Sequence, residues 1–152
     1  MTIFCDTNIL LEYLQQRQYV AEVKKILSSA IKNNDNLFIS VGSFYTITYL
    51  TEKYLKCDQS LTKNDRISRL RYILNGILGT FKLCNLSGHS LSAGVNDPLF
   101  DDLEDSYQAH AAEDMNCDVF LTINDRHFIR FAEKSSVKVM TPVAFIDAYF
   151  QG

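Results

Sequence analysis

The chain has 152 residues, 47% hydrophobic and 22% charged, a balance that excludes a disordered tail and a disulfide-built mini-scaffold. Its net charge of −3 hides an asymmetry: Asn96 to Asp118 holds eight acids and no lysine or arginine, leaving the rest of the chain at +5. No apolar run approaches the roughly 20 residues of a membrane span. The start, Met-Thr-Ile-Phe-Cys-Asp, lacks the basic stretch of a signal peptide. Cys5, Cys57, Cys84 and Cys117 form no C-x-x-C pair and read as reduced thiols in a cytoplasmic protein. Residues 1–152 are read as one domain, long enough to bury its own core.

In chain order, Thr2–Cys5 is a short apolar segment, and Asp6-Thr7-Asn8 opens an amphipathic stretch from Ile9 to Gln16. Tyr19–Asn33 has Val20, Val23, Ile26, Leu27, Ala30 and Ile31 at helical spacing. Leu37–Ile39 reads as a second strand and Ser43–Lys56 as a helix rich in Tyr and Thr. Thr62–Leu78 is a strong helix, with Ile67, Leu70, Ile73, Leu74 and Ile77 on one face. Phe81–Leu86 is a third strand. A loop punctuated by Gly, Ser, Asn and Pro follows, then a helix over Leu103–Met115 and a strand over Asp118–Thr122. His127–Lys134 is expected to be helical and Val137–Met140 a short strand. Thr141 caps and Pro142 starts the closing helix, Val143–Phe150. Short strands alternating with helices imply a parallel sheet with helices on both faces, a three-layer α/β/α sandwich. In such sheets ligands bind outside the carboxyl ends of the strands.

Three groups of polar residues fall at those ends. Asp6 directly follows Ile-Phe-Cys, where solubility does not explain an acid; helix capping, worth about 1 kcal/mol, is the plain alternative. Asp101-Asp102-Leu103-Glu104-Asp105 opens the acidic helix, with Asp102 and Asp105 on one face. Acids in a first turn complement the helix dipole by about 0.3–1 kcal/mol each, but four in five positions beside Asp97 repel one another and call for a cation. Mg²⁺ suits them, since it takes oxygen ligands and keeps several waters. Asn124 and Asp125 follow Thr122-Ile123 at another strand end, with a turn or cap as the alternative. Elsewhere, Lys53 to Arg71 holds six basic residues against Asp58 and Asp65, and Arg66 and Arg69 stand off the apolar face, either as contacts for phosphate groups or as a solvated surface.

Other chemistries lack their motifs. There is no G-x-x-x-x-G-K-[ST], no G-x-G-x-x-G and no G-x-S-x-G. Asn8 stands where a haloacid-dehalogenase-type phosphatase has its second Asp, and His89, His110 and His127 show no zinc-ligand spacing.

Asp6-Thr7-Asn8-Ile9-Leu10-Leu11 resembles the D-T-N-x-[LI]-[LI] opening of the PIN-domain family. Asp102-Leu103-Glu104-Asp105-Ser106-Tyr107-Gln108-Ala109-His110-Ala111-Ala112 is similar to its D-[FL]-E-D-A-x-x-A-x-A-A segment. Thr122-Ile123-Asn124-x-x-His127-Phe128 is similar to T-x-N-x-x-D-F, and Thr141-Pro142-x-x-Phe145 to the closing T-P-x-x-F. The resemblance spans essentially the whole chain. It implies a Mg²⁺- or Mn²⁺-dependent endoribonuclease, as in the toxins of bacterial toxin–antitoxin pairs. Asp6, Asp105 and Asp102 would be catalytic and metal-holding, and Asn124 would be catalytic at the strand end. Thr46, Asn8, Asp125 and Thr122 would be auxiliary. RNA, an antitoxin protein and a second copy of the chain are the partners so implied. Two positions depart from the pattern: Thr46 stands where the family has Glu, and His127 where T-x-N-x-x-D-F has its acid. They support a second reading, a catalytically degenerate PIN domain that binds RNA or protein.

Overall fold

The computed structural model describes residues 1–150. The elements run β1 (Thr2–Cys5), α1 (Thr7–Leu14), α2 (Val20–Lys32), β2 (Asn36–Ser40), α3 (Val41–Lys56), α4 (Lys63–Thr80), β3 (Lys82–Cys84), α5 (Gly88–Val95), α6 (Leu103–Asp114), β4 (Val119–Leu121), α7 (Ile129–Ala132), β5 (Lys138–Met140) and α8 (Pro142–Tyr149). The sheet order is β3-β2-β1-β4-β5, and every pair is parallel. From β1 the chain crosses to β2 on one side and later returns to β4 on the other, so strand order reverses between β1 and β4. That reversal is where open α/β sheets bind ligands.

Alternation along the strands assigns the two faces. Ile3, Cys5, Ile39, Val119 and Leu121 turn to one face and pack with Ile9, Val23, Ile26, Ile47, Ile77 and Phe145. Phe4 and Phe120 turn to the other, against Ala109, Ala112, Phe128 and Phe131. The small alanines of α6 let that helix lie close to the sheet, while the aromatic rings fill the space beside it. Phe120 and Phe128 meet edge-on with centroids 4.7 Å apart.

Capping fixes the helix starts. Ser40 caps α3, Thr62 and Asp65 form a reciprocal capping box on α4, and Thr141 caps α8 with Pro142 in its first turn. The expected His127–Lys134 helix is instead a 3-10 turn over Asp125–Phe128 that runs into α7. The loop expected after the third strand contains α5. Its start is capped by Ser87, and it is held on α6 by the Ser106 hydroxyl, which donates to the Gly94 carbonyl at 2.8 Å. Gly94 is required there, because a Cβ at this position would lie 2.8 Å from Tyr107 Cδ1. Among the described residues no helix is long and apolar enough to cross a membrane. All four cysteines are free, with Cys57 exposed and the other three buried.

Candidate active site

Asp6 leaves the end of β1 as the N-cap of α1 and is only 3% exposed. One carboxylate oxygen accepts the Thr7 N–H at 2.8 Å, which is the expected cap. The other accepts the Thr122 hydroxyl at 2.8 Å, from the residue just past β4. The Asp6 N–H in turn donates to the Leu121 carbonyl at 2.9 Å, so the pairing of β1 with β4 delivers the carboxylate to the switch point. Burial pushes the Asp6 pKa up to about 6, against the opposing bond from Thr122; the charges of Asp105 and Glu104 push the same way as burial. A cap needs none of this burial or this crowding of charge.

Asp105 comes from the first turn of α6. Its pKa is raised, mainly by burial and also by Asp102, while a hydrogen bond with His127 pulls it down. That bond joins His127 Nδ1 to Asp105 Oδ2 at 2.7 Å, and the imidazole is 56% exposed while the carboxylate is 14% exposed. Asp102 is exposed and serves as N-cap of α6, accepting the Asp105 N–H at 3.1 Å. It is Glu104, not Asp102, that joins Asp105 in raising the pKa of Asp6.

Of the other candidates, Thr122 is fully buried and tied to Asp6, and its hydroxyl also accepts the Asn124 N–H at 3.1 Å. Asn124 is thus held half-buried at the same edge. Asn8 is half-buried in the first turn of α1 and Thr46 in the second turn of α3, and Asp125 is exposed in the 3-10 turn. Arg66 and Arg69 lie in the first two turns of α4, and neither is among the charges that act on Asp6. Arg66 donates to the Leu61 carbonyl at 3.1 Å, and the pKa values of Asp58 and Asp65 are lowered mainly by hydrogen bonds from Ser60 and Thr62, with the charge of Arg69 adding least.

Sequence reading missed a buried polar cluster beside Asp6. Thr7 Oγ1 and Ser43 Oγ are 2.7 Å apart, Ser40 donates to Ser43 at 3.1 Å, and Gln108 Nε2 donates to Ser43 at 2.7 Å. The one signal was position: Gln108 follows Asp105 by three residues, on the same helix face. A large apolar cleft of about 770 Å³ lies elsewhere, lined by Leu10, Leu14, Leu27, Ile73 and Phe81 among others, and contains none of these acids.

Among the described residues no three His, Cys, Asp or Glu side chains converge as a closed metal-binding group. What remains is the buried Asp6 with a half-buried Asp105 and an exposed Glu104 whose charges act on it. This donor set fits a hydrated hard cation, because Mg²⁺ commonly uses one or two carboxylates and keeps its waters. It does not fit a structural zinc site, which closes four Cys or His ligands around the metal.

No family model and no curated protein matches the chain. Solved structures do. A chain of FitAcB from Neisseria gonorrhoeae aligns with a TM-score of 0.67 at 17% identity, over 93% of this chain and 98% of that one. A toxin–antitoxin complex from Klebsiella pneumoniae gives 0.64 at 22% identity, with the same coverage of 93% and 98%. VapBC2 from Rickettsia felis, bound to a DNA fragment from its promoter, gives 0.64 at 16%, again over 93% and 98%. The shared feature is the fold, a five-stranded parallel sheet flanked by helices, which is the PIN-like architecture that the sequence resemblance implied.

Proposed function

We propose that this chain is the toxin-like member of a toxin–antitoxin pair and a PIN-type endoribonuclease that works with a hydrated Mg²⁺ or Mn²⁺. The observation that carries the reading is Asp6: a carboxylate buried at the strand-order reversal, with the charges of Asp105 and Glu104 directed at it. Asp6 and Asp105 would hold the cation. When bound, such an ion activates water for attack on a phosphodiester and neutralises charge on the leaving oxygen. Thr122 holds the Asp6 carboxylate in place through its hydroxyl, and Asn124 is fixed beside it. The basic stretch from Lys53 to Arg71 draws the RNA backbone toward an edge that would otherwise repel it. The antitoxin partner is inferred from the fold neighbours, among them the toxin–antitoxin complex of Klebsiella pneumoniae.

The bond between Asp105 and His127 favours a second reading, a degenerate domain that binds RNA without cutting it. Cleavage of end-labelled single-stranded RNA in Mn²⁺ separates the two readings. The nuclease reading expects slow cleavage that is lost with chelator and in Asp6→Asn, and faster in Thr46→Glu. Activity appearing only in Thr46→Glu would make the natural chain a binder.

A further inference from the structure

The outward face of α3 has a composition that neither the core nor solubility explains. Ser43, Ile47, Thr51 and Leu55 form the buried face. Opposite them stand Gly42, Tyr45, Tyr49, Lys53 and Lys56, all exposed, with Glu52 half-buried beside them. Tyr45 is 71% exposed and Tyr49 63%. The two rings follow one another along the helix, about 6 Å apart on its axis. Lys56 is 3.4 Å from Glu52, and Lys53 pairs with no acid among the described residues. Tyrosine also suits a protein interface, but the core of one is apolar and poor in lysine. This face carries no aliphatic side chain. The stripe also begins at the candidate site. α3 leaves the carboxyl end of β2, and Ser43 in its first turn lies 2.7 Å from the hydroxyl of Thr7, the residue after Asp6. Tyr45 follows Ser43 by two residues and directly precedes Thr46. At the other end, Lys53 and Lys56 lead into Lys63, Arg66 and Arg69 of α4, which packs against α3. Aromatic rings in line with cations are how proteins hold single-stranded nucleic acid: the cations meet phosphates and unpaired bases stack on the rings.

We propose that Tyr45 and Tyr49 are stacking platforms for unpaired bases of a single-stranded RNA that runs along α3 from the Asp6 edge toward Lys53 and Lys56. This rests on the RNA reading above and adds a preference to it: a base paired within a duplex has no free face for either ring. The stripe tolerates any sequence, because every base has a face that can stack.

The test is fluorescence anisotropy with chelator present, so that no strand is cut. The probes are a labelled oligoadenylate, an RNA duplex of the same length and a strand of abasic sugar phosphates of that length. The proteins are wild type and the Ala and Phe variants at positions 45 and 49. Tyr45→Ala and Tyr49→Ala should each bind the oligoadenylate about 5- to 150-fold more weakly, the range of one lost stack. Tyr45→Phe and Tyr49→Phe, which keep the ring, should bind like wild type. Wild type should bind the duplex and the abasic strand more weakly than the oligoadenylate, and the Ala variants should bind the abasic strand as wild type does. Their slope of log affinity against log salt should equal that of wild type, because no phosphate contact is removed. Equal affinity of wild type and both Ala variants for the oligoadenylate overturns the stacking role and leaves the RNA reading standing. So does an equal loss on the abasic strand, or a duplex bound as tightly as the single strand. Sedimentation covers the remaining occupant: a wild-type dimer that Tyr45→Ala turns into a monomer assigns the face to a second copy and overturns the proposal. No binding of any strand by wild type overturns both readings. Both rings are exposed, so the variants should melt with wild type. If an Ala variant melts lower, Leu at that position takes its place, with the same loss expected and an unchanged affinity overturning the role.

Discussion

His127 binds Asp105 through Nδ1 at 2.7 Å, at the position where the resembling family has an acid. An imidazole there offers Asp105 a hydrogen-bond donor that competes with a cation for the same carboxylate. Replacing it should release that carboxylate. His127→Ala should lower the Mn²⁺ concentration needed for half of the maximal rise in melting temperature, and His127→Asp, which adds a carboxylate, should lower it further. The melting curves follow from mass action on the folded state. If both variants bind Mn²⁺ more weakly than wild type, His127 supports the ion instead of competing with it.

The buried Asp6 carboxyl gives the metal-free protein a definite pH dependence. Its folded pKa of about 6 exceeds the ordinary 3.8, so the native state holds this proton more tightly than the unfolded chain does. Stability from this group is present in full below about pH 4 and is lost as pH rises toward 6, by about 3 kcal/mol at most. Asp105 and Glu104 are shifted in the same direction and steepen the decline. Asp6→Asn should flatten this part of the profile and be more stable than wild type at pH 8 without metal. Urea denaturation at pH 4, 6 and 8 measures it. A wild type that gains stability between pH 4 and 6 relative to Asp6→Asn contradicts the assignment.

The close approach of α5 to α6 makes Gly94 sensitive to a single methyl group. A Cβ would stand 2.8 Å from Tyr107 Cδ1 and 3.6 Å from His110 Cδ2. To admit that methyl group, the half-buried Tyr107 ring or the helix itself must shift. Gly94→Ala should therefore destabilise the fold by about 1–3 kcal/mol, the usual cost of overpacking, despite the better helix propensity of alanine. Chemical denaturation gives the value, and a stabilised Gly94→Ala would show that the two helices are free to separate.

For RNA, phosphate binding by the α4 cations should appear as salt dependence. Removing one phosphate-bound cation should reduce the slope of log affinity against log salt by about 0.7 on a single strand. Arg69→Ala tests this most cleanly, because Arg66 also holds the Leu61 carbonyl and its removal loosens the turn before α4. Filter binding of Asp6→Asn protein, with and without Arg69→Ala, should show the shallower slope. An unchanged slope makes this an ordinary solvated surface.

Most of the architecture was legible in the sequence because local and tertiary preferences agree. Thr62 with Asp65, and Thr141 with Pro142, mark helix starts, and the apolar strands carry few polar residues. The α5 helix was not legible. Gly88, Ser90, Ser92 and Gly94 are weak helix formers, and the segment is helical because its small residues fit against α6. At the site, Asp6 and Asp105 were legible as acids near strand ends, and Thr122 from its place in the strand-end segment. The roles of Asp102 as a cap, His127 as the partner of Asp105 and Gln108 as the link between helices depend on side-chain bonds that only the folded chain brings together. A separation of 65 positions between Gln108 and Ser43 gives no local pattern from which that bond could be read.

The most direct measurement is a crystal grown with Mn²⁺ and recorded on both sides of the manganese absorption edge. The anomalous difference map should show one ion between the Asp6 and Asp105 carboxylates, absent from an Asp105→Asn crystal grown in the same way. A map with no peak at that edge at millimolar Mn²⁺, or with an ion held elsewhere while RNA is still cleaved, would contradict a cation centre built on these two acids.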